Sequence, residues 1–94
     1  MSMTVIVKVM SEVSRILGWS QGGIEFEGST LEDLFKSLVM VDGRSLYDLT
    51  TNGGKLSGSY VVSLNGQVVT SLQTSLSPGD RIMTMETVRL FQGG

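Results

Sequence analysis

The last two residues, Gly93 and Gly94, are the ones whose type and position suggest chemistry. Glycine has no Cβ and few backbone restrictions. A pair of them makes a strip of backbone thin enough to thread a narrow channel and present the Gly94 carboxylate to another protein's active site. An α-carboxyl titrates near about 3.5, so it is ionised at neutral pH and is a poor electrophile. It becomes reactive once a partner activates it, for example as an acyl-adenylate, and the pair then reads as the working end of a carrier or modifier protein. The bland reading of the same two residues is a frayed terminus or a cloning remnant. Ahead of them, residues 87–92 (TVRLFQ) read as an extended segment flecked with apolar side chains.

Composition narrows what the chain can do by its own means. The 94 residues contain no Cys and no His. Disulfides, thiolate metal sites and a cysteine nucleophile are therefore excluded, and the commonest general base and transition-metal ligand is missing. Ser and Asp are plentiful, but a nucleophilic triad would need an unusual Lys or carboxylate base. The expectation is a protein that is not an enzyme, with no catalytic residue, no metal and no cofactor of its own. A formal charge of −2 without a basic run gives no nucleic-acid footprint. No apolar stretch is long enough to span a bilayer. The apolar run 4–10 contains Lys8 and lacks the layout of a signal peptide, so a cytoplasmic protein is expected.

The elements that must carry the terminus follow from periodicity. Residues 4–10 (TVIVKVM) put Val5, Val7 and Val9 on one face of a strand. Val13, Ile16 and Leu17 fall at helical spacing between Ser11, a possible cap, and Gly18, a possible stop. Gln21-Gly22-Gly23 reads as a flexible link before a half-exposed strand, 24–27, with Ile24 and Phe26 inward. The best local signal is residues 28–41. Ser29 and Glu32 fit a capping box, and Leu31, Leu34, Phe35, Leu38 and Val39 form a one-sided stripe closed by Gly43. Glu32 and Lys36 add an i,i+4 pair in the favourable order.

Residues 45–51 suggest a further helical turn around Leu46, Tyr47 and Leu49. Asn52-Gly53-Gly54 reads as a turn and 55–59 as a polar connection. Residues 60–64 and 67–69 flank Asn65-Gly66, a type I′ hairpin signal. Ser77-Pro78-Gly79-Asp80 is another turn before a last strand, 81–85, with Ile82 on the face opposite Met83 and Met85. The economical packing is a mixed sheet of four or five strands with the main helix across one face.

In this order the elements resemble the ubiquitin-like β-grasp sulfur carriers of the MoaD/ThiS type, over nearly the whole chain. The resemblance is carried by the opening strand and the short helix ending at Gly18, and by Thr30-Leu31-Glu32-Asp33-Leu34. It continues in Ser63-Leu64-Asn65-Gly66, in residues 76–82 (LSPGDRI) and in the terminal Gly93-Gly94. Where that family often carries a proline pair before its glycines, this chain has residues 85–92 (METVRLFQ). Val88-Arg89-Leu90 before Gly-Gly is reminiscent of the ubiquitin tail and resembles the small archaeal modifier proteins as well.

The resemblance implies an α+β fold, a ubiquitin-like β-grasp over residues 1–86, followed by a flexible tail of residues 87–94. It implies that an ATP-dependent activating enzyme adenylates Gly94. A persulfide then yields a thiocarboxylate for molybdopterin, thiazole or tRNA thiolation, with a molybdopterin synthase large subunit as one partner. Alternatively, a target-protein lysine captures the acyl group. Fully extended, the tail spans about 25–28 Å, enough to enter a buried site, with Gly93 and Gly94 leading and Phe91, Leu90 and Arg89 gripping the partner. Met83, Met85, Trp19 and Arg81 each have two readings, partner contact or ordinary packing and surface. A non-conjugated β-grasp interaction module is the remaining alternative.

Overall fold

The computed structural model describes residues 2–86. Chain order is β1 (Ser2–Val9), α1 (Ser11–Leu17), β2 (Gln21–Glu27), α2 (Leu31–Ser37), α3 (Leu46–Thr50), β3 (Thr51–Asn52), β4 (Lys55–Leu56), β5 (Tyr60–Leu64), β6 (Gln67–Val69) and β7 (Arg81–Glu86). Five strands form one mixed sheet in the order β2-β1-β7-β5-β6, and β3 and β4 make a separate small hairpin. β7 is parallel to β1 and antiparallel to β5, so it lies at the centre. The expected mixed sheet is therefore five-stranded. Period-2 alternation sends Val5, Val7, Val9, Val62 and Ile82 to one face, where they bury with Val13, Leu17, Phe26, Leu31, Leu34, Phe35 and Leu38 in a single cluster. Thr84 enters the same core with its Oγ1 unpartnered among the described residues.

The main helix is shorter than its stripe suggests, and tertiary contacts set both ends. Its cap is Thr30 with Asp33, not Ser29 with Glu32. The Asp33 N–H donates to Thr30 Oγ1 at 3.2 Å, while Asp33 Oδ2 accepts from the N–H groups of Thr30 and Ser29 at 3.2 and 3.0 Å. Ser29 is otherwise engaged, because its carbonyl accepts from the Leu76 N–H at 2.8 Å. The orphan N–H groups of Leu31 and Glu32 are taken by the carbonyls of Thr74 and Leu72. Gly28 has φ 129°, and a Cβ there would lie 2.5 Å from the Asp33 side chain, so this position admits only glycine.

At the other end, Leu38 turns extended because its carbonyl accepts from the Leu46 N–H at 2.7 Å and the Met40 N–H donates to Arg44 at 2.6 Å. Val39 is thereby turned out, 58 % exposed, and Met40 fills the core in its place. Gly43 lies in the following turn and does not end the helix. The Glu32–Lys36 pair forms at 2.9 Å, with the ammonium also 4.9 Å from the Tyr47 ring centroid.

Three further expectations are corrected. Gln21-Gly22-Gly23 is not a link: all three residues pair with β1, as Gly22 and Gly23 accept an extended backbone when a neighbouring strand supplies the ladder. Lys55 and Leu56 are not connection but the second strand of the hairpin turned by Gly53-Gly54. The α1 N-cap is Met10, with no side-chain cap, and Gly18 at φ 88° closes the helix as expected.

Leu34 is fully buried at the centre of the helix–sheet contact. Leu34→Ala is expected to cost about 2–5 kcal/mol, read by chemical denaturation; an unchanged midpoint would move the core elsewhere.

The N–H groups of Ser29 and then Thr30 hold the Asp33 carboxyl below its ordinary value. Because its folded pKa is depressed, Asp33 contributes stability above its unfolded pKa, near about 4, and loses it as pH falls through the folded value. Asp33→Asn should therefore destabilise at neutral pH and progressively less toward about pH 2. Urea melts across that range check it, and an equal loss at both ends would contradict the assignment.

Candidate functional site

The sheet has two unlike faces. The inner one carries the core. On the outer one the same alternation presents Thr4, Ile6 and Lys8 from β1, Arg81, Met83 and Met85 from β7, Val61 and Ser63 from β5, and Val68 from β6. Ile6, Val61, Met83 and Met85 are half-buried, while Lys8, Arg81 and Val68 are exposed. The centre of this face is an open trough floored by Ile6 and Met83 and flanked by Lys8, Gln21, Ser63 and Arg81. Lys8 and Arg81 are diagonal neighbours, since Ile6 is level with Arg81 and Lys8 with Met83. An apolar strip with a cationic rim has the composition of a protein-docking surface. Among the described residues no cluster of three or more Asp or Glu side chains could hold a metal ion, and no helix is long and apolar enough to cross a membrane.

One end of the trough is locked by Asn65. Its left-handed φ of 52°, followed by Gly66 at 90°, makes the tight β5–β6 turn. The same side chain reaches across to β7: Nδ2 donates to Asp80 Oδ1 at 3.1 Å and Oδ1 accepts from the Arg81 N–H at 2.9 Å. Asp80 Oδ2 accepts from the Ser77 N–H at 2.8 Å, and the Asp80 carbonyl accepts from the Ile6 N–H. The Ser77–Asp80 turn, the hairpin and β1 are thus tied together where β7 begins.

Of the residues singled out in the sequence, Arg81, Met83 and Met85 come together on this face, and Trp19 is half-buried against the edge of the core. Gly93, Gly94, Phe91, Leu90 and Arg89 lie outside the described residues. Sequence reasoning missed Ile6, Lys8 and the second role of Asn65. The first two are legible in the alternation opposite Val5, Val7 and Val9. The third depends on two turns meeting in space.

No protein-family model matches the chain, and no curated protein is similar to it in sequence. Solved structures are similar in shape. The HVO 2177 protein of Haloferax volcanii superposes with a TM-score of 0.76 at 17% identity, over 95% of this chain and 87% of that one. SAMP1 from the same organism gives 0.70 at 17% identity, over 92% and 97%. The fold is the ubiquitin-like β-grasp. A Pyrococcus furiosus protein provisionally described as molybdopterin converting factor subunit 1 shares this β-grasp at TM-score 0.66 and 20% identity, over 92% of this chain and 99% of its own. At these identities the likeness is one of fold, and the residues of the trough stand on their own geometry.

Asn65→Gly keeps the turn conformation and removes both side-chain bonds of the lock. At roughly 0.5–1.5 kcal/mol each, the loss should be about 1–3 kcal/mol in urea unfolding. A change within experimental error would show that Asp80 and Arg81 hold their positions without it.

Proposed function

We propose that this chain is a ubiquitin-like sulfur carrier of the MoaD/ThiS type, working through the carboxylate of Gly94. One observation supports the reading above the others. The central strand of a β-grasp sheet, β7, leads toward a sequence that finishes in Gly93-Gly94, and it does so from the middle of the apolar, cation-rimmed face. A partner that docks on that face receives residues 87–94 as the tail beyond a domain of residues 1–86.

The chemistry belongs to the partner. An ATP-dependent activating enzyme joins the Gly94 carboxylate to AMP and releases pyrophosphate, giving the acyl carbon a good leaving group. The terminal sulfur of a partner's persulfide then displaces AMP to give an acyl disulfide. A second partner thiol attacks its S–S bond, forming a partner disulfide and leaving a thiocarboxylate, the sulfur donor for molybdopterin, thiazole or tRNA thiolation. A molybdopterin synthase large subunit is one such recipient. The carrier is a substrate in these steps and contributes reach and recognition, in the cytoplasm. Lys8 and Arg81 steer an acidic partner, Ile6 and Met83 supply apolar contact, and Phe91, Leu90 and Arg89 grip the channel through which Gly93 and Gly94 pass.

A second reading, a protein modifier joined through Gly94 to target lysines, is favoured by the fold neighbours that are themselves named small archaeal modifier proteins. Both readings use the same activated terminus and differ in what captures it. Mass spectrometry of material from the native host separates them: oxygen-to-sulfur exchange at the C-terminus of the intact protein marks the carrier, and tryptic remnants of residues 90–94 on other proteins' lysines mark the modifier. A non-conjugated module gives neither.

Deleting Gly93 and Gly94 should abolish ATP–pyrophosphate exchange by the matching activating enzyme and leave the melting temperature unchanged, since the last residues of a chain ordinarily contribute little to a domain's stability. Undiminished exchange by the truncated chain would overturn the carrier and modifier readings together.

A further inference from the structure

β2 is an edge strand whose free side can be read from its hydrogen-bond phase. The Val9 N–H donates to the Ser20 carbonyl at 2.9 Å, so Val9 and Ser20 are a bonded pair of the β1–β2 ladder. The register continues through Val7 with Gly22, Val5 with Ile24 and Met3 with Phe26. Bonded and non-bonded pairs alternate in an antiparallel ladder. Gly22, Ile24 and Phe26 therefore turn their N–H and C=O groups to β1, whereas Gln21, Gly23, Glu25 and Glu27 turn theirs away from the sheet. Ile6, level with Gly23, has the matching phase: its N–H goes the other way, to the Asp80 carbonyl at 2.8 Å. The four outward residues are all exposed. Among the described residues, Gln21, Gly23 and Glu25 make no backbone hydrogen bond to any other element.

Such an edge is a template for strand addition, and folded proteins ordinarily blunt it with a proline, a bulge, charged side chains or brevity. β2 has only the charges of Glu25 and Glu27, which repel a like-charged strand and not a basic one, and it runs seven residues in unbroken register with β1. The opposite edge, β6, is three residues long. At Gly23 a Cβ would meet only the Thr4 methyl at 3.8 Å, and Gly22 has open space around it, so the edge is flat and unobstructed there.

An added strand would alternate as β2 does. On the outer face its side chains would lie beside Glu25 and Glu27; on the inner face, beside half-buried Ile24 and the rim of the core at Phe26. The Glu25 carboxylate accepts from the Ser2 hydroxyl at 3.2 Å and meets no cation among the described residues. The outer positions of an incoming strand thus call for Arg or Lys and the inner ones for apolar side chains. We propose that the open edge of β2 binds an extended segment of a partner protein in which basic and apolar residues alternate, adding a sixth strand to the sheet. A second copy of this chain is the poorer occupant, since it would gather two pairs of glutamates on one face of a protein already at net charge −2.

The test uses the full chain, isotope-labelled, with a blocked seven-residue peptide alternating Arg and Val, against the same peptide with Glu in place of Arg. At saturation the basic peptide should slow amide exchange at Gln21, Gly23 and Glu25 by about tenfold or more and leave Gly22, Ile24 and Phe26 unchanged. The acidic peptide should do neither. Gly23→Pro removes an outward N–H that the β1 ladder does not use, a position where an edge strand tolerates proline, and should abolish the effect with the fold intact. If that variant does not fold, the double substitution Glu25→Lys and Glu27→Lys serves, and should transfer binding to the acidic peptide. Equal response to both peptides, protection centred on Lys8 and Arg81, or a concentration-dependent dimer joined through β2 would each overturn the proposal.

Discussion

The burial of β7 between β1 and β5 is the constraint on which the rest depends. Its inward residues, Ile82 and Thr84, are almost wholly enclosed, and its two neighbours, β1 and β5, lie far apart in the chain. The hydrophobic face of the sheet is incomplete until this late segment arrives. Its arrival also completes the outer trough, because Arg81, Met83 and Met85 are the other side of the same six residues. One strand thus closes the core with alternate side chains, builds the centre of the outer face with the rest, and leads toward the C-terminus.

The energetics are divided between a dry interior and a polar frame. Inside, valines on β1 and leucines on α2 interlock around Phe35, which is fully buried, and the hydrophobic effect dominates. Around the rim, short side chains do the positioning. Asp33 gathers the N–H groups at the start of α2 and excludes a side chain at Gly28, Asp48 repeats the cap at α3 with Ser45, and Asn65 with Asp80 ties two turns together. The surface ion pairs of Lys36 with Glu32 and Arg44 with Asp42 are exposed, and pairs of that kind contribute little.

The charge distribution gives the two free parts of the sheet different preferences. The trough is bordered by Lys8 and Arg81, whereas the β2 edge carries Glu25 and Glu27. The first favours acidic and the second basic contacts, and Gln21, which flanks the trough and sits on β2, is where they adjoin. Exposed Val39 and Val41 lie elsewhere, between α2 and α3, with the Val41 side chain next to Gly18.

Much of this was legible in the sequence, and the misses share a cause. Valines at every second position fixed the inner face of β1, Asn65-Gly66 fixed a hairpin, and Leu34, Phe35 and Leu38 fixed the buried stripe, because local periodicity and turn chemistry act over a few residues. The Gly93-Gly94 terminus and its chemistry were read there too, and they rest on sequence still. Tertiary structure decided whatever depended on a distant partner. Gly22-Gly23 became strand because β1 lay beside it, the α2 cap moved to Thr30 because Leu72, Thr74 and Leu76 claimed the groups around it, and Val39 left the core because Leu38 and Met40 paired with Leu46 and Arg44. Backbone hydrogen bonds must be satisfied wherever partners are offered, and sequence reveals the partners only when they are near neighbours in the chain.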